Sequence, residues 1–174
     1  MKQIRVSLAI FALSTVLLVS CGYRNPYVYS GPSQQIYITS WKNRTSELQL
    51  ESDIQQALLQ WYQRSDSLTI VNDKSAADLI LAGEIISIDL PSLSYGANNL
   101  TRQVKLTLHV RYILKDLESG EILIQVPDQL RTEEYIVAAD SQTTADNEEQ
   151  ALEIIIDELS QDIYRQTLSK LSRR

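Results

Sequence analysis

Few residues in this 174-residue chain could take part in bond-making chemistry. The sequence contains one cysteine, Cys21, and one histidine, His109. A lone cysteine excludes an intramolecular disulfide and a cysteine-based zinc cluster, and a lone histidine excludes a paired-histidine mechanism. His109 falls on the polar side of an alternating segment, where a surface role is the better interpretation. Because no nucleophile-elbow, P-loop or dinucleotide-binding glycine pattern occurs, the sequence favours a protein that is not an enzyme and holds no metal or cofactor.

The cysteine lies directly behind a short apolar segment. Lys2 and Arg5 are the only charged residues at the start, and residues 6–19 are all apolar or small. A basic start followed by such a run is typical of a secretory signal, and the run is too short to span a membrane comfortably. It ends in Leu-Val-Ser-Cys at positions 18–21, which resembles a bacterial lipobox. We therefore predict that residues 1–20 are a lipoprotein signal peptide that is removed, leaving Cys21 as the lipidated first residue.

The lipid on Cys21 decides where the protein is held. The lipobox resemblance implies a diacylglycerol group and palmitate on this one residue, and several acyl chains anchor a protein stably where a single chain does not. An Asp after the cysteine commonly marks inner-membrane retention in Gram-negative lipoproteins, so Gly22 favours the outer membrane. Residues 21–33 contain Tyr, Pro and Gly without a period and are interpreted as a tether. We expect a lipid-anchored protein on the periplasmic side of the outer membrane.

Charge patterning provides a second candidate site. The 16 Lys and Arg residues are outnumbered by 22 Asp and Glu residues, and a net charge of −6 argues against nucleic-acid binding. Lys105, Arg111 and Lys115 nevertheless lie on the polar side of one alternating segment, with Arg102 at its entrance. A locally positive strand face on an acidic domain can bind phosphates or carboxylates, and an ordinary solvated sheet face is the alternative. Because like charges along a strand repel, we expect acidic residues opposite them.

Hydrophobic periodicity predicts the strands that must position these cations. The clearest signal is a segment in which apolar residues alternate with polar ones, which indicates a long strand with one buried and one wet face. Gly83, in another apolar run, indicates a bulge or a close backbone approach. Pro127 limits its own segment to an edge position or a bulge. Four to five strands are expected, at residues 35–41, 67–71, 78–90, 100–114 and 121–126, the last with a weaker continuation to 137. Residues 91–99 and 116–120 are interpreted as loops.

Two amphipathic helices complete the organisation. Ser46 and Gln49 form a capping box for a helix that ends near Arg64, and Asp146 with Glu149 marks the start of a terminal helix. Residues 138–145 show no period. The order strand, helix, strands, helix predicts one α+β domain over residues 34–174. In this two-layer sandwich both helices pack on one face of a mixed, mostly antiparallel sheet.

Several motifs, in this order and spacing, resemble the lipopolysaccharide-assembly lipoprotein family LptE. The resemblance covers most of the chain after the signal. It is carried by Cys21-Gly22-Tyr23, Asn43-Arg44-Thr45 leading to Glu51, the Ala-Ala-Asp-Leu-Ile-Leu-Ala-Gly run at 76–83, the Asp-Leu-Glu-Ser-Gly loop at 116–120, Glu134-Tyr135 and Ala151-Leu152-Glu153. The family's small sheet with two helices agrees with the pattern of elements.

The resemblance implies a function that involves binding and no bond change. A member of this family would sit as a plug inside the β-barrel LptD and help to insert lipopolysaccharide into the outer leaflet. A plug needs a polar surface toward a polar lumen, which the wet strand face and loop 91–99 can supply. From their face and charge alone, we expect Arg102, Lys105, Arg111 and Lys115 to bind acidic groups of lipopolysaccharide.

Two other functions remain open at this stage. An auxiliary lipoprotein of a periplasmic ABC-type transport system would share the anchor and an α+β domain, and would associate with an inner-membrane permease. A lipid-anchored enzyme would need convergent titratable groups in a pocket, for which the sequence offers little.

The anchor prediction can be tested directly in cells. Labelled palmitate is expected on the processed protein, and Cys21→Ser is expected to lose both the label and membrane fractionation, because the lone thiol is the only attachment point. A Cys21→Ser protein that still fractionates with membranes as before would contradict the prediction.

Overall fold

The structure is a computed structural model that describes residues 29, 31–90 and 102–173. Two helices and six strands make up this part of the chain, together with a short 3-10 helix at Lys74–Ala76. The strands are β1 (Gln34–Ile38), β2 (Lys42–Asn43), β3 (Leu68–Ile70), β4 (Leu79–Asp89), β5 (Arg102–Asp116) and β6 (Ile122–Val137). The helices are α1 (Leu50–Tyr62) and α2 (Ser141–Leu171).

All six strands join one mixed sheet. Its order is β3-β1-β4-β5-β6, and β2 pairs with β4 beyond the end of β1. The pairs of β1 with β3 and β4, and of β2 with β4, are parallel, whereas the three long strands form an antiparallel meander. Helix α1 connects β1 to β3, as a parallel pair requires. The predicted α+β class is thus confirmed, with six strands where four to five were expected.

The extra strand is β2, which is too short for periodicity to reveal. Its two residues lie in the polar segment 42–46, which has the composition of a turn. They pair with β4, Lys42 opposite Glu84 and Asn43 opposite Ile85. Strand β6 also differs from expectation, since it runs without interruption through Pro127. The proline is accommodated because β6 is an edge strand and bulges there, between the pairs Val110–Gln129 and Tyr112–Val126.

Both helices begin at other residues than the capping motifs predicted. Helix α1 starts at Leu50, and its N-cap Gln49 makes no side-chain capping hydrogen bond. Helix α2 starts at Ser141, because the Asp140 side chain accepts a 2.8 Å hydrogen bond from the Thr143 backbone N–H. The interpretation of residues 138–145 as irregular was therefore wrong over most of their length. An aspartate cap six residues earlier than the predicted Asp146 extends the helix over polar residues that carry no apolar stripe.

The core lies between one sheet face and the two helices. The even-numbered residues of β5 from Leu106 to Leu114 are buried, as are the apolar stripes of α1 and α2. Aromatic residues join the helices: the Tyr62 and Tyr164 rings meet edge to face at 5.3 Å, and Trp61 Nε1 donates to Asp157 at 2.7 Å. Burial raises the pKa of the Tyr62 hydroxyl, which shares a 2.6 Å hydrogen bond with Thr167. The two helices therefore cover the same face, as predicted.

Gly83 allows an indole ring to lie directly on the sheet. A Cβ atom at this position would stand 2.3 Å from the ring of Trp41, so no larger residue fits unless the ring moves. Trp41 is 2% exposed and stacks on Tyr112, the residue opposite Gly83 on β5, with ring centroids 6.3 Å apart. The glycine thus marks a close approach, and the bulge in β4 lies further along, between Ile85 and Ser87.

We expect Gly83→Ala to destabilise the fold by about 1–3 kcal/mol, because the added methyl displaces the Trp41 ring from a packed core. Urea unfolding followed by circular dichroism measures the loss. In a Trp41→Leu background the smaller side chain leaves room, so the same substitution should cost less. An equal penalty in both backgrounds would show that the indole contact is not the cause.

Candidate functional site: a basic sheet face

The second face of the sheet carries no helix within the described residues. Both helices pack on the opposite face, and β5 places its odd-numbered residues on the open one. Cross-strand register extends this open face from β5 to β4, since Ile113 pairs with Ala82 and Arg111 with Glu84. The polar side of β5 is therefore an exposed surface, as its alternation predicted.

A buried carboxylate organises the middle of the open face. Glu84 is only 8% exposed and stands in register between Lys42 on β2 and Arg111 on β5. Its carboxylate accepts hydrogen bonds from Arg44 and, at 2.6 Å, from Nε of Arg111, and Lys42 Nζ lies 4.0 Å away. A carboxylate can be buried when cations and donors compensate for its lost hydration. Three cationic side chains thus meet on one acid, leaving an excess of positive charge.

Local backbone geometry places Arg44 in this cluster. The side chain of Asn43 accepts 2.8 Å hydrogen bonds from the backbone N–H and the hydroxyl of Thr45, and donates to the Glu47 carbonyl at 2.7 Å. Asparagine side chains commonly stabilise a tight turn in this way. The backbone N–H of Arg44 also donates to the Ile85 carbonyl at 3.1 Å, extending the β2–β4 pairing by one residue. A fixed turn therefore holds the Arg44 guanidinium beside β4.

The cations change the acidity of the group they surround. Hydrogen bonds from Arg44 and Arg111 hold the pKa of the Glu84 carboxyl below its usual value of 4.5, although partial desolvation acts in the other direction. The carboxylate is therefore ionised at neutral pH and bound to both guanidiniums. The arrangement can hold an oxyanion; Glu84 itself fills that role in this structure.

Beside Arg111 the open face has a shallow depression of about 290 Å³. It forms where β6 bulges at Pro127, and its lining is mainly apolar. The lining residues are Ala82, Gly83, Glu84, Arg111, Tyr112, Ile113, Gln125, Val126 and Pro127. An apolar depression therefore adjoins the arginine cluster.

Of the four cations predicted from the sequence, the structure places only Arg111 in the cluster around Glu84. Lys105 and Lys115 share the open face with Arg111 but lie about 20 Å and 13 Å from it along the strand. Arg102 is the first residue of β5 and pairs with Val137. Acidic residues do lie opposite, as expected: Glu84 faces Arg111, and Glu134 pairs with Lys105 across β5 and β6. The predicted set is therefore spread along a strand, and only Arg111 belongs to a cluster.

Lys42, Arg44 and Glu84 were missed by sequence reasoning. The signal that could have found the two cations is their spacing of two residues, which places them on one side of an extended segment. Nothing local connects them with Glu84, which is forty positions away along the chain. Because the segment around Lys42 has the polar composition of a turn, strand β2 was not predicted.

The remaining sequence candidates have separate outcomes. His109 lies on the open face and contacts Asp128 of β6, consistent with a surface role. Cys21, the tether up to residue 28 and loop 91–99 fall outside the described residues. In the part of the chain that is described, no three His, Cys, Asp or Glu side chains form a group that could hold a metal, and no helix is long and apolar enough to cross a membrane.

Solved structures share this two-layer architecture. Uncharacterised lipoprotein B from Nitrosomonas europaea aligns with a TM-score of 0.54 at 19% identity, covering 85% of this chain and 91% of that one. A lipoprotein from Caulobacter crescentus gives 0.54 at 14% identity, with coverages of 80% and 92%. A protein from Chlamydia trachomatis gives 0.53 at 9% identity, with coverages of 82% and 100%. At such identities the likeness concerns the fold, which defines a class of small α+β domains found in bacterial lipoproteins.

The family follows from the sequence itself. Residues 33–167 match the model of LptE, described as lipopolysaccharide-assembly. The match covers more than half of the chain, so the protein belongs to the LptE family, a family of cell-envelope lipoproteins that act in lipopolysaccharide assembly. None of the curated protein sequences matches the chain. The resemblance that was based on motif order is thus confirmed.

We expect Glu84→Gln to weaken the fold at pH 7, because a neutral amide binds the guanidiniums less strongly. The pKa of Glu84 is lowered on folding, so its stabilising effect is complete above the ordinary value of 4.5 and is lost as the pH falls through the folded value. The stability difference between wild type and variant should therefore shrink in acid. Urea unfolding at pH 7 and pH 3 measures it, and an equal difference at both would refute the assignment.

Proposed function

We propose that this chain is an outer-membrane lipoprotein that occupies the lumen of an LptD-type β-barrel and assists lipopolysaccharide insertion into the outer leaflet. Its role is binding and scaffolding, and it catalyses no bond change. Family membership supports the pathway, and the signal followed by Cys21 supports an acylated anchor. Gly22 supports the outer membrane as its location.

The observation that carries the proposal is the uncovered sheet face. A sheet with helices on one side leaves its second side to solvent or to a partner. Here that side is polar and positively charged around Arg111, and a barrel lumen presents a polar wall. The face therefore suits a partner that encloses the domain.

Cations on the same face suit the acidic groups of lipopolysaccharide. Guanidinium groups bind phosphate in a bidentate manner, and such charge-assisted hydrogen bonds are stronger than neutral ones. Lys105, Arg111 and Lys115 on this face, with Arg102 at the start of β5, remain the proposed lipopolysaccharide-binding residues. Lys42 and Arg44 join them because they surround Glu84 beside Arg111.

Two measurements test this function. After mild detergent extraction, the full-length lipidated chain should co-purify with a large β-barrel protein. Charge reversal of Lys105 and Arg111 to glutamate should weaken lipopolysaccharide binding at least about tenfold, the size expected when one charge-assisted hydrogen bond is lost. Lys74→Glu reverses one charge outside the sheet, half the change of the double variant, and should have little effect.

Three results would contradict the proposal in different ways. Recovery with an inner-membrane permease or a substrate-binding protein would favour the auxiliary transport lipoprotein. Unchanged lipopolysaccharide affinity in the charge-reversal variant would remove the binding residues. An equal loss of lipopolysaccharide affinity in the Lys74→Glu control would show that net charge, and not the position of the cations, causes the effect. Circular dichroism of each variant shows whether the fold is retained, and Arg111→Gln is the milder second variant.

A further inference from the structure

The depression and the arginine cluster form one continuous feature. Glu84 and Arg111 belong to both, because each lines the depression and takes part in the ion pairs. The rest of the floor and rim comes mainly from Ala82, Ile113 and Val126. A charged end and an apolar end thus lie side by side on an open surface. A ligand that matched both would itself be charged at one end and apolar at the other.

The charged end already holds an anion that belongs to the protein. Arg44 and Arg111 both bind the Glu84 carboxylate, while about half of each side chain is exposed, 52% and 49%. Their remaining N–H donors are therefore open to solvent. An incoming oxyanion can share these guanidiniums with Glu84 or replace it. Since the carboxylate is only one charge against three cations, a second anion is electrostatically favoured there.

The apolar end is produced by the β6 bulge. Two residues, Pro127 and Asp128, oppose Arg111 alone, so the edge strand bends away from β5 at this point. Pro127 supplies no backbone N–H, and Ile113, which lies on the open face, is only partly buried. Apolar surface of this kind is stabilised when a ligand removes it from water.

We propose that this feature is a binding site for an anionic amphiphile. The phosphate or carboxylate lies on Arg44 and Arg111, the first segment of the alkyl chain lies in the depression against Ile113, and Glu84 is an internal competitor that the ligand must displace. The inference rests on the proposed function, for which it assigns a site to the junction of an acidic group and its acyl chain. The competitor keeps binding weak enough for release, as a protein that passes its ligand onward requires.

Hexyl phosphate, inorganic phosphate and 1-hexanol separate the two ends of the site. All three are soluble without forming micelles at the concentrations needed, and isothermal titration calorimetry with the full-length lipidated chain in a neutral detergent measures their affinities. Hexyl phosphate should bind about tenfold or more tightly than inorganic phosphate, because burial of two methylene groups already contributes that factor. Hexanol should bind more weakly than hexyl phosphate.

Variants assign these affinities to residues. Glu84→Gln should tighten both phosphates, because the competing charge is gone. Ile113→Thr, which keeps a β-branched residue on the strand, should remove the preference for hexyl phosphate and leave inorganic phosphate unchanged. Arg111→Gln should weaken both. Lys74→Gln is the control, since it removes one exposed charge outside the sheet and far from the proposed binding residues, and it should change neither.

Several results would overturn the inference. Equal affinity for the two phosphates would show that the depression takes no chain. Unchanged or weaker binding in a folded Glu84→Gln protein would show that Glu84 is no competitor. If the Glu84→Gln protein fails to fold, the Ile113→Thr variant still tests whether the depression binds the alkyl chain. An equal loss of affinity in Lys74→Gln and Arg111→Gln would indicate diffuse attraction to positive charge and no site. Barrel co-purification without hexyl phosphate preference refutes this inference alone, whereas the reverse result refutes only the proposed function.

Discussion

The structure depends on the one-sided burial of strand β5. Its residues Leu106, Leu108 and Leu114 are fully buried against the helices, and the odd-numbered residues that alternate with them lie on the open face. Because side chains alternate strictly along a strand, a shift of one residue would bring Lys105 and Arg111 into the core and expose the leucines. The register of the meander is therefore strongly specified. The location of every charge on the open face follows from it.

The Glu84 cluster shows how such a face can hold charge in a stable way. A carboxylate placed between three cations relieves repulsion that Arg111, Arg44 and Lys42 would otherwise exert on one another. The same carboxylate is held ionised by its partners, and so the cluster links β2, β4 and β5 without a helix above it. Positive charge is retained at a protein surface whose total charge is negative. A surface of this kind can attract acidic groups while the domain as a whole stays soluble.

Packing beneath the sheet accounts for the openness of the other side. Trp41 lies on Gly83 and stacks on Tyr112, and the α2 helix, roughly 46 Å long for its 31 residues, crosses the sheet below β5 and β6. Together with α1, these groups cover the apolar face of the sheet. Among the residues that the structure describes, no helix covers the second side, so a partner or a ligand can reach it there.

Local sequence patterns were enough to predict the two faces of β5 and the apolar stripes of both helices, because each repeats with a fixed period. The order of the long elements followed from these patterns, whereas the lipid anchor at Cys21 stays a prediction. The sequence also identified Arg111, since a cation on the wet side of a strand can be recognised from alternation alone. Only the tertiary structure decided that Lys42 and Arg44 join it around Glu84, and that Trp41 requires a glycine at 83. These contacts depend on hydrogen-bond register between segments some forty residues apart, as in the Arg44–Glu84 pair. No local period encodes which residues of two strands will stand opposite each other.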